Sequence, residues 1–146
     1  MGVNNNSYTS GNASQRQRLA KLLSKLTDDD LNRPMPGGWT IATKLAHIAF
    51  WDQYAMARLK KSASSLFQSA SVPVDEVNSA ARALSEAIPA RAAAQLALAS
   101  AEAVDAYVET IGPELRAAIE ATGNVRLLNR SLHRREHLDQ IERALG

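Results

Sequence analysis

The chain contains no cysteine. That excludes disulfides, thiolate metal ligands and a cysteine nucleophile, and it fits a reducing, cytoplasmic setting. Aromatic residues make up only 5% of the 146, and there are just three histidines. No apolar run approaches the ~20 residues a helix needs to cross a bilayer. The N-terminus shows no basic region followed by an apolar stretch, so no secretory leader is expected. Glycine is too sparse and scattered for a phosphate-binding loop or a dinucleotide fingerprint, and no Gly-x-Ser-x-Gly elbow occurs. An excess of one charge is missing as well. Net charge is +2, with basic residues interleaved among acidic ones, which argues against a nucleic-acid surface. What remains is 45% apolar and 22% charged, the balance of a soluble globular chain whose length suits one domain with a substantial core.

No two-residue alternation, hairpin signal or fixed-period repeat is present, so the expected fold class is all-α. Residues 1–13 are polar and turn-rich and read as a flexible tail, leaving residues 14–146 as a single helical domain. Ser14 can cap a first helix running to about Leu26, with Leu19, Leu22, Leu23 and Leu26 inward. Thr27-Asp28-Asp29-Asp30 either ends that helix or caps a short turn, and residues 32–38, with Pro34, Pro36, Gly37 and Gly38, read as a loop. Thr40 is a plausible N-cap for a helix to about Lys61, without the Glu or Gln three residues on that completes a capping box. After a Ser-rich connection ending at Pro73, Val77, Ala81, Leu84 and Ile88 keep helical spacing. Pro89 then suits the first turn of a new helix. Its Leu96, Ala99, Ala103 and Tyr107 form one stripe, and Val104, Val108 and Ile111 a neighbouring one. Gly112-Pro113 stops it. Leu115 and Ile119 mark a short helix closed by Gly123, and residues 127–145 form the last. Four principal helices with short helices in the connections suggest a four-helix bundle.

All three histidines fall on helices that read as buried. In the last helix, His133, His137, Ile141 and Leu145 are four apart and share one face. Two imidazoles one turn apart, ~6 Å along the axis, can reach the same ion, and a third ligand must come from elsewhere. His47 is the only other imidazole. Its helix carries Ile41, Leu45, Ile48, Ala55 and Leu59 on one side, widened by Ala46, Phe50, Trp51 and Tyr54. A helix apolar nearly all round is central or covered by a partner, and a homodimer is the expected form of the latter. An all-imidazole site suits Zn, Ni, Fe or Cu and not Mg or Ca.

Gly38-Trp39-Thr40, followed by a helix with His eight residues after the Trp, resembles the DinB/YfiT-like family of metalloenzymes. So does His133-x-x-x-His137-x-x-Gln140-Ile141 near the C-terminus. The superfamily includes the metal-binding domains of mycothiol-dependent maleylpyruvate isomerases, and the resemblance runs from about Arg16 to the end. It implies an up-down-down-up bundle in which His47, His133 and His137 hold a divalent transition metal. Some relatives carry Glu at the first position of the last motif, where His133 stands here. It also implies a transferase or isomerase that uses a low-molecular-weight thiol of the mycothiol, bacillithiol or glutathione type on a small-molecule substrate. The missing cysteines agree, since the sulfur would arrive with the cofactor.

Around this core stand weaker candidates. Gln140 belongs to the motif, Asp52 could orient an imidazole, and Tyr54 could face a pocket. Arg126, Arg130 and Arg134 form an i, i+4, i+8 row. Arg130 and Arg134 could bind a carboxylate substrate or the acidic arm of a thiol, or the row could be a solvated face beside Glu136, Asp139 and Glu142. Two other functions stay open: a non-enzymatic dimeric bundle with a structural or vestigial metal, and a metal-dependent hydrolase acting in detoxification. An open coordination position beside a pocket separates an enzyme from a closed structural site.

Overall fold

The computed structural model describes residues 6–63 and 67–146, with side-chain detail from Tyr8 onward. Residues 1–5 of the expected tail and 64–66 of the Ser-rich connection lie outside them. Among the described residues the fold is all-α apart from one minimal hairpin. The helices are α1 (Asn6–Leu23), α2 (Asp28–Leu31), α3 (Ile41–Ser62), α4 (Val74–Ser85), α5 (Ala90–Glu109), α6 (Pro113–Ala121) and α7 (Ser131–Leu145), with a 3-10 turn at Val125–Leu127. Strands β1 (Pro34–Met35) and β2 (Trp39–Thr40) pair antiparallel. Contacts run from α3 to α5, α5 to α1, α1 to α7 and α7 to α3, a closed circuit of the four longest helices. One apolar cluster includes Leu19, Leu31, Ile41, Leu45, Ile48, Leu138 and Ile141. A second gathers Ala55, Leu59, Val104, Ile119 and Leu128 at the other end of α3.

Several expectations need correction. The first helix begins at Asn6, not Ser14, so residues 6–13 of the expected tail are helical. Asn12 in that stretch is only 1% exposed. Its Oδ1 accepts from the amides of Arg130 and Ser131, and its Nδ2 donates to the Leu128 carbonyl. A side chain from α1 thus caps the start of α7, which opens at Ser131 rather than in the 127–130 stretch. Gly11 allows the close approach: a Cβ there would sit 3.3 Å from Ser131 Oγ.

The loop at residues 32–38 contains the hairpin, whose turn places Gly37 and Gly38 at φ of 82° and 81°. That region strains any residue with a Cβ. Arg82 of α4 donates to the Gly37 carbonyl (2.8 Å) and lies over the Trp39 ring, so the hairpin is held where Trp39 begins α3. A capping box is present there after all. Thr40 Oγ1 accepts from the Thr43 amide and Thr43 Oγ1 accepts from the Thr40 amide, so a threonine fills the place of the missing Glu or Gln.

Of the stripes expected on the middle helices, Val104, Val108 and Ile111 are buried, and the other two are displaced. Leu84 is 75% exposed and Leu96 43%. The buried face of α5 runs instead through Ala93, Ala97, Ser100, Ala101, Val104, Asp105 and Val108. An apolarity pattern skips Asp105, and so misplaces the stripe. On α3 the first nine residues are all buried by the chain itself. Of the apolar surface on which a second copy was expected, Phe50 keeps 36% exposure.

Asp105 belongs to a buried ionic network. Arg134, fully buried, forks onto Asp105 (2.9 and 2.8 Å) and donates through Nε to Asp52 (3.1 Å). Arg130 Nε donates to the other Asp52 oxygen (2.9 Å), and Arg16 of α1 reaches Asp105. The arginine row is therefore neither a solvated face nor a free anion site at Arg134. Asp139 and Glu142, expected beside it, pair with Arg18 of α1.

Removing one member of a buried pair typically costs ~3–5 kcal/mol, because the partner is left charged and unpaired. Arg134→Met should therefore lower the urea-unfolding free energy by about that much. A loss under ~1 kcal/mol would show that the network is not a major source of stability.

Candidate metal centre

Arg134 points into the core, so its neighbours on α7 are placed at the flank. His133 and His137 emerge beside it toward α3, where His47 comes two turns after the Thr40 cap. The three Nε2 atoms converge. His47 and His137 are 3.0 Å apart, His137 and His133 3.1 Å, and His133 and His47 3.2 Å. Trp39 stands edge-on to His47 with ring centroids 5.3 Å apart. The expected inward face of α7 is thus shifted. Its centre is Arg134, Leu138 and Ile141, and the histidines form the edge.

The protonation states are those of metal ligands. Burial, then the charges of His137 and Lys44, push His47 down to about 3. Burial, then the charges of His137, Arg130, His47 and Arg126, push His133 down to about 2. His137 is also lowered, chiefly by burial, against the opposing effect of its bond to Gln140. That bond runs from His137 Nδ1 to Gln140 Oε1 at 2.8 Å. The amide oxygen can only accept, so Nδ1 carries the proton and Nε2 keeps its lone pair. Neutral imidazoles offering lone pairs to one point repel each other unless a cation lies between them. Two nitrogens each ~2.0–2.1 Å from one ion are ~2.9 Å apart at a right angle and ~3.4 Å apart at the tetrahedral angle. The observed triangle falls between these values, so the group can hold a metal ion. No fourth His, Asp or Glu joins it among the described residues.

The histidines border a cavity of about 650 Å³. One wall is a single stripe of α3: Lys44, His47, Trp51, Tyr54 and Arg58 recur at helical spacing and all face it. Arg126, Arg130, His133, Glu136 and His137 form the opposite wall. Trp51 is fixed by donating from Nε1 to Asn78 Oδ1 (2.8 Å). Lys44, only 7% exposed, lies 4.1 Å from the Trp39 ring centroid. Burial holds its ammonium below the ordinary lysine range, with Glu136 pulling it back up.

Gln140 sits where the motif suggested, and Tyr54 faces the cavity. Asp52 does not orient an imidazole: both its oxygens are taken by Arg130 and Arg134. Sequence reasoning passed over Lys44 and counted Trp51 only as apolar surface. A signal existed, since both fall at i−3 and i+4 from His47.

The depressed histidines give the metal-free protein a defined pH response. Unfolded, each titrates near 6.5; folded, they stay neutral far below it, so the unfolded state takes up the extra protons. Stability is complete above about 6.5 and falls as pH drops from there. Urea unfolding of chelator-treated protein should show this decline between roughly pH 6.5 and 5, before the carboxylates titrate. His133→Gln should make it shallower. A flat profile in that window would mean the imidazoles are not held neutral.

Comparison with curated proteins and with solved structures finds no match. The sequence profile of the DinB superfamily does match, over residues 13–142. That span takes in α3 and the hairpin before it, α7 as far as Glu142, and every histidine of the triangle, and the chain belongs to the DinB superfamily.

Proposed function

We propose that the protein is a metal-dependent enzyme whose His47, His133 and His137 hold one divalent transition ion, Zn, Ni or Fe, at the floor of the cavity. The observation that carries this reading is the pairing of a three-nitrogen triangle, without a fourth protein ligand among the described residues, with a 650 Å³ cavity beside it. A structural site is closed by the protein; a site with three ligands and a cavity leaves a place for substrate. When bound, the ion would supply Lewis acidity and would favour the deprotonated form of a thiol or water. The chain's own residues do the rest. Gln140 holds the His137 tautomer and ring orientation. Trp39 packs against His47 and limits its rotation. Trp51 and Tyr54 present apolar surface that excludes water from one side of the site. Lys44, poised near Trp39 and Glu136, places a positive charge at the cavity wall.

The expected metal stoichiometry can be read by elemental mass spectrometry. His47→Ala, His133→Ala and His137→Ala should each strip near-stoichiometric metal while leaving helicity largely intact. Gln140→Leu should weaken affinity ~10–100-fold, as loss of a ligand-orienting partner does. Full metal retention in all three histidine variants would remove the site.

Within this reading we favour a transferase or isomerase acting with a low-molecular-weight thiol. The support is the family, the open ligand position and the absence of any cysteine in the chain to act as the sulfur nucleophile. A cobalt-substituted protein should develop a sulfur-to-metal charge-transfer band on adding a thiol of the glutathione, bacillithiol or mycothiol type. If none of the three alters the cobalt spectrum, the hydrolase reading takes precedence, with water as the group at the open position.

A further inference from the structure

We propose that the cavity selects an elongated organic carboxylate, with its reacting end at the histidines and its carboxylate held by Arg130 and Arg126. The proposal deepens the enzyme reading by naming the substrate class of the same site.

Three observations carry it. The first is charge. Four cationic side chains, Lys44, Arg58, Arg126 and Arg130, line the cavity against a single carboxylate, Glu136. Such a surface draws an anion and holds it more tightly where the walls exclude water. The second is an unspent donor. Arg130 is only 6% exposed. Its Nε is engaged by Asp52 and its Nη1 by the Arg126 carbonyl, while its Nη2 has no partner among the described residues. A buried guanidinium donor without an acceptor is unfavourable, and a ligand oxygen would relieve that. Asp52 fixes the guanidinium, so a ligand oxygen reaching Nη2 would meet it without a side-chain entropy loss. Arg126 next to it is exposed and makes no ion pair among the described residues. The third is length. Arg126 and Arg130 precede His133 by seven and three positions, and Tyr54 and Arg58 follow His47 by seven and eleven on the facing stripe. At ~1.5 Å per residue, seven positions are ~10 Å. On the α7 wall the cationic surface therefore begins about one turn from His133, and on the α3 wall Trp51 and Tyr54 separate His47 from Arg58. An aryl or alkyl body with a terminal carboxylate matches that order of metal-facing, apolar and cationic surfaces.

Both tryptophans of the chain line the cavity, so intrinsic fluorescence reports its occupancy. The probes are 3-phenylpropanoate and its uncharged amide, titrated into metal-free and zinc-loaded protein. The acid should bind at least ~10-fold more tightly than the amide in both forms, a difference of about 1.4 kcal/mol. Arg126→Gln, at an exposed position, and Arg130→Lys, which keeps a charge for Asp52 but removes the spare Nη2, should each cut that preference to about threefold or less. Thermal melts establish that both variants are folded, and Arg126→Gln decides the matter if Arg130→Lys is not. Equal binding of acid and amide overturns the proposal. So does an acid preference that survives in both variants but vanishes on metal removal, since the carboxylate would then sit on the ion. An acid preference that depends on the arginines in a protein that takes up no metal would support this inference while removing the enzyme reading it extends.

Discussion

The structure depends on a buried charge, the guanidinium of Arg134. It touches Asp105 of α5 and Asp52 of α3 and lies against the Asn12 carbonyl of α1. Desolvating such a group costs several kcal/mol, and only near-complete hydrogen bonding offsets it. That condition leaves α7 almost no rotational freedom, because turning the helix would break the bidentate fork to Asp105. His133 precedes Arg134 by one position and His137 follows it by three. The rotation that satisfies the arginine therefore also aims both imidazoles at His47. Asp52 is five positions beyond His47 on α3, so the same contact fixes the axial register of the two helices. The ionic network is a positioning device for the metal centre, one helical turn deeper in the bundle.

Asn12 completes the arrangement from the other side. Its carboxamide satisfies two amides and one carbonyl at the start of α7, and Gly11 lets the helices come close enough for it. With both start and rotation fixed, the side chains of α7 and α3 that face each other form two stripes with a cavity between them. Along α3 the order is Lys44, His47, Trp51, Tyr54 and Arg58, while on the facing wall Arg130 lies three positions before His133.

Much of this was legible in the sequence, and the failures have physical causes. The helical spacing of His133 and His137, the buried side of α3 and the Thr40 cap follow from local periodicity, and local periodicity predicted them. The Thr43 half of the capping box was missed because a hydroxyl can fill the role usually held by a longer carboxylate or amide. Leu84 and Leu96 were placed inside because apolar spacing weighs side chains only by hydrophobicity. The true inner face of α5 is built from alanines and one aspartate, whose burial is bought by a partner 29 residues away. The arginine row was read as either solvated or ligand-binding because no local pattern reveals that Asp52 and Asp105 would meet it. Residues 6–13 looked unstructured since their worth lies in one long-range contact, through Asn12, and composition cannot show that. The stripe of Lys44, His47, Trp51, Tyr54 and Arg58 was legible in principle. Reading aromatics only as core hid it.

The electrostatics of the site make the neutrality of its ligands consequential. Three imidazoles bring no negative charge to a divalent ion, unlike a set in which a carboxylate replaces one of them. The double charge would then be uncompensated, in a cavity lined by Lys44, Arg58, Arg126 and the Asp52-paired Arg130 against one lining carboxylate, Glu136. Low local dielectric amplifies that imbalance. Glu136 alone cannot neutralise it, and it is shared with Lys44 and His137. With the proposed ion in place, an anionic group bound at it, a carboxylate bound at the arginines, or both on one molecule would supply the missing negative charge. A substrate with an ionisable head and a carboxylate tail would balance both ends at once, whereas a substrate without an acceptor there would leave Arg130 Nη2 unpaired. Affinity for an anion is in this sense the complement of the all-histidine ligand set, and the two features make sense together in one site.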